Sequence, residues 1–239
     1  MIQARELTIR YGERTALGPL SGELGKDVLL VCGPAQSGKT TLLKALCGLV
    51  PLSPGSVLVD GTDITRGVEE MSAARARIGL VFQSDALFDS LDSLENVALP
   101  LLRRGVERPE AVERAKEALM QVGLAGKERE LPESLSGGMR KRLGLARAIV
   151  ARPRYLLADD PFAGLDPGTA GKVRDLLVSL WRDKGGLIMA SADPSPLWDV
   201  CDEALVLDGG AVAAWGRARD VKTESRVRAL FGERGESPR

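Results

Sequence analysis

The segment Gly33-Pro34-Ala35-Gln36-Ser37-Gly38-Lys39-Thr40 constrains this chain more than any other, because it fits the pattern GxxxxGK[ST]. The pattern carries weight only between a strand and a helix. Here Val28 to Cys32 is a short all-apolar run, as expected of a strand buried on both faces. A helical pattern then runs from Lys39 to about Leu49 and is closed by Pro51 and Pro54. The glycines let backbone N–H groups curl around phosphate oxygens without side-chain clash, and the helix N-terminus adds partial positive charge. Lys39 can reach the β- and γ-phosphates, and Thr40 can offer a hydroxyl to Mg²⁺. The candidate nucleotide-binding set is therefore Gly33, Pro34, Ala35, Gln36, Ser37, Gly38, Lys39, Thr40 and Thr41. A chance glycine turn would not explain both flanking elements.

The rest of the chain alternates strands with helices, which predicts a mostly parallel sheet. Ile2 to Ile9 reads as an edge strand ending in a turn at Tyr11-Gly12. Val57–Val59, Ile78–Phe82, Tyr155–Ala158, Leu187–Ala190, Ala204–Leu207 and Ala211–Ala214 read as further strands. Between about 85 and 152 the texture changes to helical periodicity at Leu94–Leu102, Pro109–Val122 and Gly137–Ala151. Pro167–Lys184 is a further helix, Val221–Phe231 a short amphipathic one, and the terminal GERGESPR is expected to fray. The expected fold is thus an α/β phosphate-loop NTPase. It has a mostly parallel core sheet and an inserted α-helical subdomain. Residues 1–216 form the domain and 217–239 a C-terminal helical extension.

A length of 239 residues suits one α/β domain with an insertion. Lys plus Arg and Asp plus Glu are 33 each, so no net basic charge argues for nucleic acid as a partner. The basic run Arg140, Lys141, Arg142 and Arg147 reads as a solvated helix face. The three cysteines match no metal spacing and read as reduced core residues. No leader pattern opens the chain, and no apolar run approaches the roughly 18 to 20 residues of a membrane-spanning helix. Any membrane role is expected to go through a partner.

A second acidic cluster follows the strand Tyr155-Leu156-Leu157-Ala158. Asp159 would hold Mg²⁺, an ion that keeps several of its waters. Asp160 stands where a carboxylate could orient an attacking water. Alone, this segment also fits a strand ending in a polar turn; the phosphate loop decides between the readings.

Leu135-Ser136-Gly137-Gly138-Met139, one helix upstream of that strand, narrows the class. LSGG in this order and spacing resembles the signature of ABC ATPases. The resemblance covers about residues 2–216 and implies an N-terminal antiparallel β-subdomain beside the mostly parallel core sheet. It implies that Ser136, Gly137 and Gly138 cap the γ-phosphate of ATP held by an opposite subunit. It implies that Tyr11 stacks on adenine, and that Gln83 contacts Mg²⁺ and the attacking water and senses the transporter. It also makes Ala163-Gly164-Leu165-Asp166 the loop that crosses the dimer interface. The structural alternatives are a turn aromatic for Tyr11 and a strand-end polar residue for Gln83. IGLVFQSDALFDSLDSLENVALPLL, LSGGM, DPFAGLDP and the tail SRVRALF resemble the Mla-type, or Mce-associated, ATPases. Those power phospholipid transport between bacterial inner and outer membranes. The implied cofactors are ATP and Mg²⁺. The implied partners are a second ATPase subunit (a homodimer favoured, a heterodimer possible), an inner-membrane permease and, through it, a periplasmic Mce-type lipid-binding protein. The implied location is the cytoplasmic face of the inner membrane.

Three positions depart from the ABC pattern. Asp160 replaces the usual Glu and is one methylene shorter, and catalytic geometry is sensitive to shifts of about 1 Å. Ala192 stands where the family has a histidine in SHD, so an electrostatic contact is missing. Gln36 replaces a glycine that many phosphate loops dispense with. Catalysis would rest on Asp160, Gln83 and Lys39, with Thr40, Gln83 and Asp159 at the metal. Nucleotide binding is expected to be intact and hydrolysis slow. Two alternatives stay open: an importer ATPase for a small solute, and an ATP-gated regulatory subunit that does not hydrolyse.

Overall fold

A computed structural model describes residues 1–84, 86–181 and 185–232. In chain order its strands are β1 (Ile2–Tyr11), β2 (Arg14–Leu24), β3 (Val28–Cys32), β4 (Val57–Val59) and β5 (Thr62–Asp63), then β6 (Ile78–Val81), β7 (Tyr155–Asp159), β8 (Gly186–Ser191), β9 (Glu203–Asp208) and β10 (Ala211–Arg217). Its helices are α1 (Lys39–Leu46), α2 (Val68–Arg77), α3 (Ser93–Leu102), α4 (Arg108–Gln121), α5 (Gly137–Ile149), α6 (Pro167–Trp181), α7 (Ala218–Val221) and α8 (Ser225–Leu230).

The strands form two sheets. One is antiparallel, in the order β2-β1-β4-β5; the other runs β10-β9-β3-β8-β7-β6. In the second, β3, β6, β7, β8 and β9 pair parallel and only β10 is antiparallel. β3 is an unbroken apolar run because helices or a second sheet cover both its faces. Its side chains alternate between two cores, since successive strand residues point to opposite faces. Leu30 and Cys32 pack with the helical side, and Leu29 and Val31 with α1 and the antiparallel sheet. Each is 2% exposed or less. Truncating Leu30 to Ala would remove about 2–5 kcal/mol.

α3, α4 and α5 pack together as the insertion. α3 opens with a capping box, Asp92 accepting from the Glu95 amide while Glu95 accepts from that of Asp92. Asn96, fully buried, accepts from Phe88 N and donates to the carbonyls of Phe88, Leu91 and Asp92, so it fixes the loop ahead of the helix.

The structure departs from the sequence reading at several places. β1 is internal, with β2 on one side and β4 on the other. β2 escapes pattern reading because Gly18, Pro19 and Gly22 look like breakers. α2 escapes because only Ala74 of it is buried. α1 stops at Leu46 because Gly48 takes a left-handed φ of 63° just beyond it. The tail is two short helices, turning at Lys222–Glu224, with Val221 and Val227 both 1% exposed. The expected last turn of the Pro167–Lys184 helix, and the terminal segment beyond Gly232, lie outside the described residues.

The basic run is also more than a solvated face. Arg140 donates to Leu135 O at 2.7 Å, Arg142 to Val122 O and Gly123 O at 3.1 Å, and Arg147 to Ala86 O at 2.7 Å. Lys141 donates to the Gln83 carbonyl. These cations tie α5 to the surrounding loops. Cys32 and Cys47 are free and buried, and burial pushes both thiols up to about 12. Among the described residues no helix is long and apolar enough to cross a membrane.

Candidate nucleotide-binding site

The parallel strands all end on the same edge of the sheet, and the phosphate loop, Gln83, Asp159 and Asp160 follow strands that end there. Such an edge is where open α/β sheets place ligands. β3 runs into Gly33–Gly38, β8 into Ser191 and Ala192, β7 into Asp159 and Asp160, and β6 into Gln83.

Two glycines in the loop are required by shape. Gly33 has φ 153°, and a Cβ there would lie 2.0 Å from Leu207 O. Gly38 has φ 104°, and a Cβ would meet Ala16 O at 2.7 Å. Gln36 occupies the left-handed region too, at φ 65°, a conformation that favours glycine. Its side chain is exposed, so no atom is crowded.

Lys39 opens α1 and its ammonium bends back onto the loop. It donates to Gly33 O and Pro34 O, both at 2.8 Å, and to Ser37 Oγ at 3.4 Å. Burial lowers its pKa, while Asp160, Asp159 and Cys32 oppose that shift. Thr40 Oγ1 donates to Asp159 Oδ1 at 3.1 Å. Asp159 is 8% exposed. A hydroxyl and a carboxylate side by side are hard oxygen donors, which suits Mg²⁺ held by few protein ligands plus substrate phosphates.

Asp160 follows with φ 46°, its amide donating to Ala190 O at 2.9 Å. Burial first, then the neighbouring Asp159 charge, raises its pKa; Lys141, Lys39 and a hydrogen bond from Ser191 pull the other way. Ala192 is exposed beside it. A cleft of about 670 Å³ adjoins, lined among others by Asp160, Phe162, Ser191, Ala192, Asp193 and Arg174.

A second cleft, about 370 Å³, lies over the phosphate loop, lined by Tyr11, Arg14, Thr15, Ala16, Gln36–Thr41 and Gly209. Tyr11 is 53% exposed, a free aromatic face at the mouth. Arg14, Thr15, Ala16 and Gly209 were not anticipated. The signal for the first three was the two-residue turn Gly12-Glu13, which folds β2 back so that Tyr11 faces Arg14 and Arg10 faces Thr15.

Ser136, Gly137 and Gly138 do not line this cleft. Ser136 N-caps α5, its hydroxyl accepting from Met139 N at 3.3 Å, and Ser136 and Gly137 are exposed. Asp166, in the Ala163–Asp166 segment, accepts from Thr169 N at 3.0 Å, so it caps the start of α6. Gln83 is exposed, and its carbonyl is held by Lys141.

A glycine-shaped loop between a parallel strand and a helix, with a buried carboxylate facing its threonine, defines a phosphate-loop nucleotide-binding protein. The sequence profile of the ABC transporter family matches residues 17–163. The chain belongs to the ABC transporter ATP-binding family. The methionine import ATP-binding protein MetN of Carboxydothermus hydrogenoformans is 37% identical over 227 residues, covering 92% of this chain and 67% of its own length. The Fe(3+) ions import ATP-binding protein FbpC of Brucella abortus is 37% identical over 217 residues, covering 90% and 60%. The chain thus spans 60% to 67% of the length of these relatives. Among solved structures, cbiO1 of Clostridium perfringens, part of the ABC transporter complex cbiONQ, superposes with a TM-score of 0.83 at 27% identity, covering 98% of this chain and 95% of its own. The dimeric cassette MJ0796, in a post-hydrolysis state with ADP and phosphate, gives 0.82 at 28% identity, covering 92% and 99%. Proteins of this family bind ATP with Mg²⁺ and hydrolyse it. The relatives named here are import proteins, so they do not carry the expected Mla-type resemblance.

Proposed function

We propose that this chain is the ATP-binding motor subunit of an ABC transporter that imports a small solute. The observation that carries the motor reading is the separation of the Ser136–Gly138 helix start from the chain's own phosphate loop, which leaves it available to ATP on a second subunit. The solute reading rests on the methionine and Fe(3+) import relatives. The phospholipid route is the second reading, favoured by the text FQSDALFDSL and ENVALPL in the insertion. A copurified transporter complex separates the two: solute-stimulated hydrolysis supports import, and bound phospholipid with no solute effect supports the lipid route.

In this reading residues 1–216 form the cassette and 217–239 its extension. Tyr11 stacks on adenine and the amides of Gly33–Gly38 hold the phosphates. Lys39 exchanges its two carbonyl partners for phosphate oxygens. Thr40 and Asp159, with Gln83, would hold Mg²⁺, which would neutralise phosphate charge. Asp160 orients the attacking water. Two ATPs close a pair of subunits, and that pair pushes on a permease at the membrane. Hydrolysis is slow because Asp160 is short and Ala192 offers no hydrogen bond. A purified wild-type chain turning over near the median enzyme rate of roughly 10 per second would sink the slow-hydrolysis part. Loss of ATP binding in Lys39→Ala, with retention in wild type, tests the site itself.

A further inference from the structure

The cleft over the phosphate loop has two ends. Gly38, Lys39 and Thr40 line it where α1 begins, and Tyr11 and Arg14 line it at the tip of the β1–β2 hairpin. Tyr11 and Arg14 are the pair that closes the turn Gly12-Glu13. Residues directly opposite in an antiparallel pair share a face, with Cβ atoms about 4.5–5.5 Å apart. An aromatic ring and a guanidinium therefore stand side by side at the mouth, both exposed.

Arg14 differs from the cations near it in having nothing to hold. Arg10 donates to Thr15 Oγ1 at 3.3 Å, and Lys39 to the carbonyls of its loop. Arg14 has no hydrogen bond or ion pair among the described residues. No acidic residue lines the cleft, and Gln36, the one side-chain amide that does, belongs to the phosphate loop. With the phosphates drawn to Lys39 and the ring of Tyr11 at the other end, the part of a nucleotide beside Arg14 is its base.

Tyr11 does not choose between bases, because every base has a π-face and stacking tolerates them all. The base edge is what differs. Guanine presents O6 and N7, two acceptors side by side that match the fork of a guanidinium. Adenine presents N7 beside a 6-amino donor, which opposes a second N–H. A guanidinium has donors only, so it offers that amino group no acceptor.

We propose that Arg14 is a specificity-determining residue of this cleft, reading the O6 and N7 edge of guanine, so that the chain takes GTP at least as well as ATP. This rests on the nucleotide-site reading above and deepens it by naming the base.

The test uses the purified full-length chain and its Arg14→Ala and Arg14→Lys variants, with Lys39→Ala as blank. Binding of ATP, GTP and 7-deaza-GTP with Mg²⁺ is measured by calorimetry, and thermal melting without nucleotide is the control. Wild type is expected to bind GTP at least as tightly as ATP. In Arg14→Ala the ratio of the two affinities should move toward ATP by about tenfold. Arg14→Lys should move it the same way, since a single ammonium keeps the charge but not the fork. 7-deaza-GTP, with carbon in place of N7, should bind wild type about threefold or more weakly than GTP, and Arg14→Ala should show no such gap. Wild type that favours ATP overturns the proposal. So does an Arg14→Ala ratio within about twofold of wild type, since equal losses for both nucleotides mark a phosphate or ribose contact. If Arg14→Ala lowers the melting temperature, Arg14→Lys decides, and an unchanged ratio there overturns the proposal. Wild type that binds ATP and fails these tests leaves the nucleotide site standing. Wild type that binds neither nucleotide overthrows the nucleotide-site reading and this proposal together.

Discussion

Asp160 and Ala192, two of the three departures from the family pattern, line one cleft. Changing both back, Asp160→Glu with Ala192→His, should raise the Mg²⁺-ATPase rate by about tenfold or more, a barrier change of roughly 1.4 kcal/mol. A rate equal to wild type would show that Asp160 suffices as it is. Gln36 is a different case. Its φ of 65° is strained for a side chain, by about 1–2 kcal/mol. Glycine would relieve that strain, offset by its larger entropy loss on folding of about 0.5–1 kcal/mol. Gln36→Gly should therefore gain up to about 1 kcal/mol in urea unfolding; a clear loss would show that the Gln36 side chain makes stabilising contacts. The identity of these residues was legible in the sequence because the chemistry of the loop admits few alternatives. Their strain was not, since nothing in the string reports a dihedral angle.

Elements were legible in proportion to how they bury. β3, β7 and the insertion helices show clear runs or helical spacing because whole faces of them are covered. α2 lies on the surface with one buried residue, and β2 carries Gly18 and Pro19, so neither leaves a pattern. The lock on the loop before α3 was also invisible. Asn96 looks like a weak helix former, yet it is fully buried with four hydrogen bonds. Asn96→Ala would strand the Phe88 amide and several carbonyls and should destabilise the fold by about 2–3 kcal/mol in denaturant unfolding. A change under about 0.5 kcal/mol would mean water replaces the side chain.

At the scale of the molecule the site joins the carboxyl ends of several strands, so ligand binding and stability are linked. ATP with Mg²⁺ at about 100 times its dissociation constant should add about 2.7 kcal/mol. For a chain of this size that is a rise of about 5–10 °C in melting temperature. Lys39→Ala should show none of it. ATP should also convert the chain to a dimer on size-exclusion chromatography, because Ser136 and Gly137 are exposed and do not line the chain's own cleft. A monomer with ATP bound would argue against the pairing of two subunits around ATP. The class was legible from three short motifs in a fixed order. The imported solute was not, because in this reading the cassette supplies the motor and substrate choice lies with its membrane partners.

The strand order has a consequence for how the chain is made. β3 emerges early, yet its two neighbours are β8 and β9, more than 150 residues later. A ribosome that has released β7 has already delivered both Lys39 and Asp159, but not the strand that lies between theirs. Until β8 arrives, the apolar ribbon of β3 has no lateral partner, so the nascent chain depends on shelter rather than on its own pairing. β3, which leads to Lys39, and β7, which carries Asp159, are joined only once β8 has been made.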